Sequence, residues 1–261
     1  MKRYALIGRN IQYSYSPLVH QEIALSAGIH IEYSIMSIEP MAFIGAVDRL
    51  RSGYDGFNIT KPYKTDILPY LSKNYSVTGA VNTVCVSSGD LIGYNTDGTG
   101  FLKSLEYHNI DISGEILILG AGGAARTLAY ELDKLSKVYI YNRTITKAQA
   151  IIDELGLKNT HVADLDNLQP AVIINATTLG HNNEMSLPNG VKTERLQTVY
   201  DTIYNPACTP IMSWAKEKGI KAVNGLTMLF FQALDAQRIW NNVELSKAQI
   251  IQTLKNIEAK L

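Results

Sequence analysis

The sequence predicts an α/β protein of two domains, and three observations predict it. The first is Glu115-Ile-Leu-Ile-Leu-Gly-Ala-Gly-Gly-Ala-Ala125, an apolar run that ends in a Gly-rich turn and opens into a helical pattern. It reads as a strand, a phosphate-binding turn and a helix N-terminus, by which a doubly wound, Rossmann-type sheet holds a dinucleotide. Gly120 lets the strand turn sharply, Gly122 lacks the Cβ that would hold a pyrophosphate off the backbone, and Ala125 is small enough for helix-on-strand packing. The second lies about twenty residues on, where the apolar segment Lys137-Val-Tyr-Ile-Tyr141 runs into Asn142-Arg143-Thr144. An acidic residue there would bind a ribose 2′-hydroxyl, whereas arginine suits a 2′-phosphate, so the expected cofactor is NADP. Lys147, on the first turn of the next helix, either adds a second positive charge or is a solvated helix lysine. The third observation is that strand-like and helix-like runs alternate through the first hundred or so residues, which implies a mainly parallel sheet with ligands at its carboxyl ends.

Composition agrees with a soluble globular chain. Its 261 residues are 46% hydrophobic and 18% charged, and 24 basic side chains balance 24 acidic ones. That neutrality argues against nucleic acid or an anionic membrane as the main partner. No apolar run is long enough to span a bilayer, and Met1-Lys-Arg-Tyr-Ala-Leu-Ile-Gly8 breaks too soon for a signal peptide, so a cytoplasmic protein is expected. Cys85 and Cys208 are isolated and read as two buried thiols in a reducing compartment.

Taken in order, Tyr4 to Ile7 is a strand, and Ser16-Pro17 begins a helix through Leu18, Ile23, Ala24 and Ala27 to Gly28. Ser14 and Ser16 precede it; either they cap it or they bind a carboxylate, and spacing alone favours Ser16 as a cap. Ile31 to Met36 alternates like a strand, Pro40 starts a helix that Gly53 ends, and Phe57 to Thr60 suits a buried strand, with Pro62 in the first turn of a following helix. Thr60 and Lys64 thus stand at a strand's carboxyl end, where Lys64 on its own reads as surface. Ala80 to Val86 and Asp90 to Tyr94 form an expected hairpin at a sheet edge, with Asn82 either a ligand contact or a structural hydrogen-bonding residue. Asn95-Thr-Asp-Gly-Thr-Gly100 breaks the pattern at the domain boundary; Asp97 caps the next helix or serves as a cleft carboxylate, and position alone favours the cap.

Beyond the Gly-rich turn, Ala171 to Ala176 and Thr198 to Ile203 are parallel-type strands running into Thr177, Thr178 and Gly180 and into Tyr204-Asn-Pro206, which would line the nicotinamide side. Thr209-Pro210 opens a helix with Thr209 as N-cap, closed by Gly219. Gly225 opens a long helix ending near Trp240. Ser246 and Gln249 form a capping box on the last helix, with Leu245 and Ile250 as a hydrophobic staple, and Ile250, Ile251, Leu254 and Ile257 give that helix an apolar face to pack on the N-terminal domain.

Six motifs occur in one order: Ser14-Tyr-Ser-Pro17, Asn58-Ile-Thr-Lys-Pro-Tyr-Lys64, Gly79-Ala-Val-Asn-Thr83, Asn95-Thr-Asp-Gly98, the Gly120 to Ala125 turn with Asn142-Arg-Thr144, and Gly225 through Gln232. Together they make the chain resemble the shikimate dehydrogenase family, NADP-dependent enzymes that interconvert 3-dehydroshikimate and shikimate in aromatic amino-acid biosynthesis. The resemblance implies that Lys64 and Asp97 share proton transfer, that Ser14, Ser16 and Tyr204 hold the substrate carboxylate, and that Thr60, Asn82, Asp97 and Gln232 hold ring hydroxyls. It implies NADP contacts at Gly120, Ala121, Gly122, Gly123, Ala124, Asn142, Arg143, Thr144, Lys147, Thr177, Ile203, Gly225 and Met228, no metal, and a monomer or homodimer. The expected domains are 1–98 plus 225–261 for substrate and 99–224 for NADP. Tyr13 replaces a histidine frequent in the family, and Arg9-Asn10 replace an acidic or amide residue and a proline. Two rivals stay open: a relative that also oxidises quinate, often with NAD, and a non-catalytic NADP-binding regulator of the same fold.

Overall fold

Short aliphatic runs at the start of the chain become the middle of a mixed sheet. In the computed structural model, which describes residues 1–261, the chain divides into a unit of residues 1–100 with 229–261 and a unit of residues 101–228. The first contains β1 (Lys2–Gly8), α1 (Ser16–Ser26), β2 (Ile31–Ser37), α2 (Phe43–Gly53), β3 (Gly56–Ile59), β4 (Lys73–Asn74), β5 (Thr83–Ser87) and β6 (Asp90–Tyr94). The strand order is β2-β1-β3-β5-β6-β4. β1 is parallel to β2 and β3, whereas β5 runs antiparallel to β3 and β6, so the sheet is parallel on one side and mixed on the other. The β5–β6 hairpin turns on Ser88 (φ 52°) and Gly89 (φ 85°), two left-handed residues as a type I′ turn requires. It is not the sheet edge: the two-residue β4 pairs alongside β6 and takes that place.

Alternation along β1 sorts the core. Ala5 and Ile7 pack with Phe43, Val47, Leu50, Phe57 and Ile59 on one face, and Tyr4 and Leu6 pack with Tyr33 and Trp240 on the other. No regular helix follows Pro62. Residues 61–67 form turns, because the Lys64 carbonyl accepts from the Val81 N–H at 2.8 Å and is withdrawn from any helical ladder.

α3 (Asp97–Tyr107) leads to β7 (Ile116–Leu119), α4 (Gly123–Leu132), β8 (Val138–Tyr141), α5 (Ile145–Leu155), β9 (Thr160–Val162), β10 (Val172–Asn175), β11 (Thr198–Asp201), α6 (Pro210–Glu217) and β12 (Lys221–Val223). This second sheet is wholly parallel in the order β12-β11-β10-β7-β8-β9. With β7 counted as the first strand, that is the doubly wound dinucleotide-binding order, whose topological switch point lies between β7 and β10. Ile116 and Ile118 pack with Leu128 of α4 and Ile151 of α5, while Leu117 and Leu119 pack with Ile211 and Met212 of α6 on the opposite face.

α7 (Leu226–Asn241) and α8 (Lys247–Glu258) close the chain. The Ser246–Gln249 capping box forms as expected. α8 packs on α1 in the first unit, where the Ser26 and Thr253 hydroxyls meet at 2.6 Å and Lys260 pairs with Glu22 at 2.6 Å. Its buried face is Thr253, Leu254 and Ile257, whereas Ile251 is exposed, being rotated about 100° per residue away from the Ile250–Leu254–Ile257 line. The cysteines also differ from expectation: Cys85 is half-buried in β5, and Cys208 is exposed beside Lys216 Nζ at 3.6 Å.

Candidate active site

Topology gathers the polar residues of the first unit at one end of its sheet. Thr60 follows the carboxyl end of β3, Asn82 precedes antiparallel β5, and Asp97 follows β6, which runs in the same direction as β3. Thr60 is fixed there by its N–H bond to the Ile7 carbonyl at 2.9 Å. Gly8 permits that approach, since a Cβ on it would lie 2.5 Å from Thr60 Cγ2. Gly100 allows a close approach to Gln232, since a Cβ on it would lie 2.6 Å from the Gln232 backbone nitrogen. Gln232 therefore joins the same group.

Four of these side chains form one hydrogen-bonded set. Lys64 Nζ donates to Asp97 Oδ2 at 2.5 Å, and Asn82 Nδ2 donates to Asp97 Oδ1 at 2.7 Å and lies 3.4 Å from Gln232 Oε1. The Asn82 orientation is determined, because its Oδ1 accepts the Thr96 backbone N–H at 2.8 Å and the Thr83 hydroxyl at 3.0 Å. Asn82 is thus the structural hydrogen-bonding residue of the two readings, tied to Thr96 and Thr83 through its oxygen, while its amide nitrogen turns to Asp97 in the candidate site. Lys64 and Asp97 keep 22% and 13% of their side-chain surface exposed, enough for a ligand to reach a pair otherwise shielded from water.

Two capping expectations give way here. Asp97 is the first residue of α3, but its N–H is held by Asn95 Oδ1 at 3.0 Å and its carboxylate oxygens face Lys64 and Asn82. Ser16 lies inside α1, whose N-cap is Tyr15 without a side-chain cap bond; Ser14 Oγ instead accepts the Ser16 N–H at 3.3 Å and donates to Ser16 Oγ at 3.0 Å. The two serine hydroxyls are therefore adjacent at a helix N-terminus, a geometry suited to an anion.

In the second unit, Gly120 has φ 107° at the end of β7, and a Cβ on it would lie 3.0 Å from both the Ala176 carbonyl and Thr177 Cγ2 after β10. Gly122 and Gly123 would meet nothing within 4 Å, and Gly122 caps α4 with no side chain over the helix N–H groups. Ala121 and Ala124 flank these glycines and are half-buried, while Ala125 is fully buried against the sheet. The open turn thus combines backbone access with the positive end of a helix. Asn142 donates to the Thr144 carbonyl at 2.9 Å and shapes the loop after β8, while exposed Arg143 and Lys147 have no carboxylate partner. Residues with these features fit a dinucleotide carrying an extra phosphate.

Strands β10 and β11 end in Asn175 and Asp201, paired in register. Asp201 is fully buried and accepts from Asn175 Nδ2 at 3.0 Å, the Ile203 N–H at 3.0 Å and the Thr209 hydroxyl at 2.6 Å. Burial pushes its pKa up, and those hydrogen bonds pull against that rise. Thr209 takes the N-cap position of α6, but its hydroxyl serves Asp201 and not the helix. Ile203 is buried, Tyr204 is half-buried in the loop after β11, Gly225 passes so close to Thr202 that a Cβ would lie 2.2 Å from its carbonyl oxygen, and Met228 is 9% exposed in the first turn of α7.

Comparison with known proteins finds relatives over nearly the whole chain. Residues 6–84 match the shikimate dehydrogenase substrate binding domain, and residues 107–181 match the shikimate / quinate 5-dehydrogenase family. The shikimate dehydrogenase (NADP(+)) of Methanocaldococcus jannaschii is 36% identical over 274 residues, covering 98% of this chain and 95% of that one. This chain belongs to the shikimate dehydrogenase family. Another member, shikimate dehydrogenase (NADP(+)) of Caldicellulosiruptor saccharolyticus, is 36% identical with both chains covered completely. The shikimate 5-dehydrogenase of Thermus thermophilus, solved in complex with NADP(H) and shikimate, superposes with a TM-score of 0.89 at 31% identity, over 98% of this chain and 100% of that one.

The contacts of this shikimate dehydrogenase family member bring out residues that motif reading passed over. Thr83 and Thr96 fix Asn82, and Gly100 lets Gln232 approach. Thr83 and Thr96 lie inside quoted motifs, but only their contacts separate them from their neighbours.

Proposed function

We propose that the protein is an NADP-dependent shikimate dehydrogenase, reversibly reducing 3-dehydroshikimate to shikimate, with Lys64 and Asp97 as its proton-transfer pair. The observation that supports these roles is the 2.5 Å Lys64–Asp97 contact, held in place by Asn82 and open to a ligand, in a member of this family. NADPH, when bound, supplies the hydride that a ketone reduction requires. Residues 101–228 would hold it: the Gly120–Ala124 turn and the α4 N-terminus at the pyrophosphate, Asn142, Arg143, Thr144 and Lys147 at the 2′-phosphate, and Thr177, Ile203, Gly225 and Met228 at the nicotinamide end.

Residues 1–100 with 229–261 would hold the substrate. Ser14 and Ser16 bind its carboxylate with the positive end of α1, and Thr60, Asn82 and Gln232 accept or donate to ring hydroxyls. Lys64 Nζ carries three N–H bonds, one of which Asp97 holds, so an ammonium proton is available for the carbonyl oxygen. Asp97 orients Lys64 and accepts from the adjacent hydroxyl. In the oxidation direction the same groups act in reverse, and Lys64 receives the proton.

The test follows the absorbance of reduced cofactor with shikimate or quinate and with NADP or NAD. Shikimate with NADP should be turned over fastest, and Lys64→Ala should lower kcat by about 10²- to 10⁴-fold. Wild-type inactivity with all four combinations would remove the enzyme assignment, and a near-normal kcat in Lys64→Ala would remove the assignment of Lys64.

A further inference from the structure

At the switch point of the second sheet, Asn175 has its whole side-chain hydrogen-bonding capacity directed by the protein. Its Nδ2 donates to Asp201 Oδ1 at 3.0 Å and to the Leu179 carbonyl at 3.0 Å. Its Oδ1 accepts the Thr177 N–H at 3.1 Å and the Thr177 hydroxyl at 2.7 Å. The amide has one allowed orientation, since the Thr177 N–H only donates and the Leu179 carbonyl only accepts. Asp201, at 0% exposure, is itself held by the Ile203 N–H and the Thr209 hydroxyl, so Asn175 cannot rotate without stranding buried groups.

The consequence falls on Thr177. Its single hydroxyl proton is directed to Asn175, and one oxygen lone pair accepts the Leu179 N–H at 3.0 Å. One lone pair remains. Thr177 is half-buried, and its Cγ2 lies 3.0 Å from where a Gly120 Cβ would be, next to the turn that opens α4. A free threonine hydroxyl adapts to donors and acceptors alike, whereas this one is fixed as an acceptor.

We infer that Asn175, held by Asp201, is a positioning residue that makes the Thr177 hydroxyl an acceptor-only contact for a hydrogen-bond donor on the nicotinamide-riboside half of NADP. The inference rests on the cofactor reading above. Two donors of that half qualify, the carboxamide NH₂ and a ribose hydroxyl, and both approach the same lone pair.

Titration calorimetry with NADP⁺, 2′-phospho-ADP-ribose and adenosine 2′,5′-bisphosphate tests it. Thr177→Val should weaken NADP⁺ by about 3- to 10-fold, the loss of one neutral hydrogen bond, and leave the bisphosphate unchanged; Thr177→Ser should bind like the wild type. A matching loss with 2′-phospho-ADP-ribose assigns the ribose hydroxyl as donor, and its absence assigns the carboxamide. Asn175→Ala should weaken NADP⁺ selectively too, and the double variant should lose no more than Thr177→Val alone, because Asn175 acts through Thr177. A purely structural role would give additive losses or weaken the bisphosphate equally, and either result overturns the inference, as does wild-type NADP⁺ affinity in Thr177→Val. If Asn175→Ala does not fold, the Thr177→Val and Thr177→Ser comparison across the three ligands decides alone. Failure of the wild type to bind both NADP⁺ and the bisphosphate would instead strike at the cofactor reading.

Discussion

His20 makes the first unit sensitive to acid. The ring is 0% exposed, stacked on Tyr33 at 4.2 Å and near Trp240 at 5.5 Å, and burial lowers its pKa from 6.5 to about 3. Its Nδ1 faces Gln237 Nε2 at 3.0 Å, and Asn241 Nδ2 fixes that amide by donating to Gln237 Oε1 at 2.7 Å. Nδ1 must therefore be an acceptor, and protonation would set two donors against each other. Because the folded pKa lies below the unfolded one, stability is fully present above pH 6.5 and is lost as pH falls toward 3, where only the unfolded chain gains the proton. The limiting slope is about 1.4 kcal/mol per pH unit, which gives a loss of about 2 kcal/mol between pH 8 and pH 5. Other groups titrate in that window, so the measurement is a difference. Urea unfolding of the wild type and of His20→Phe, at constant ionic strength and at both pH values, should show the wild type losing about 2 kcal/mol more than the variant. Equal losses in the two proteins would show that His20 is accommodated as a cation in the fold.

Three further outcomes test separate parts of the molecule. Arg143→Ala should raise the Kd for NADP well beyond any effect on NAD, measured by calorimetry, since Arg143 has no carboxylate partner in the protein and only the 2′-phosphate distinguishes the two ligands; equal weakening would refute the phosphate contact. Ser14→Ala should raise KM for shikimate more than it lowers kcat, because the proposed carboxylate contact would be present in both ground and transition states, and an effect confined to kcat would contradict that role. Ser246→Ala removes the capping-box acceptor of the Gln249 N–H at 3.3 Å and should cost about 0.5–2 kcal/mol in urea unfolding, with steady-state kinetics unchanged.

The parts of this molecule written in short-range patterns were legible, and those made by distant contacts were not. The strand, turn and helix from Ile116 to Leu132 followed from apolar runs and glycine positions alone, as did the Ser246–Gln249 box. β4, β9 and β12, of two or three residues each, are too short to carry a period and exist only because a neighbouring strand pairs with them. Pro62 signalled a helix start, but Val81 claims the Lys64 carbonyl from 17 positions away, a competition that no local rule registers. Ser16 and Asp97 stand at helix starts, and a capping rule cannot detect that Ser14 and Lys64 engage their side chains instead. Gln232 entered through the resemblance alone; what brings it to Asn82 is the absence of a Cβ at Gly100, 132 positions earlier.

Both units use the same construction at their strand ends, and exposure separates its two uses. In each, an asparagine oxygen accepts a threonine N–H and a threonine hydroxyl while the amide nitrogen donates to a carboxylate: Asn82 toward Asp97 at 2.7 Å, and Asn175 toward Asp201 at 3.0 Å. The asparagine transmits a fixed direction from the backbone to the carboxylate, so neither aspartate has to be oriented by the ligand. Asp201 is sealed and meets only protein donors, which suits a fixed anchor for two loops. Asp97 is left 13% exposed beside an ammonium group, where, in the proposed proton-transfer role, a fixed direction would serve as preorganisation. Replacing Asp97 with Asn should then be more damaging to kcat than the loss of one charge implies, because the new amide would present a donor to either Lys64 or Asn82 in place of an acceptor. Asp97→Ala, which removes the charge without adding a donor, should therefore lower kcat less than Asp97→Asn in steady-state kinetics. Equal losses in the two variants would show that the carboxylate acts by charge alone.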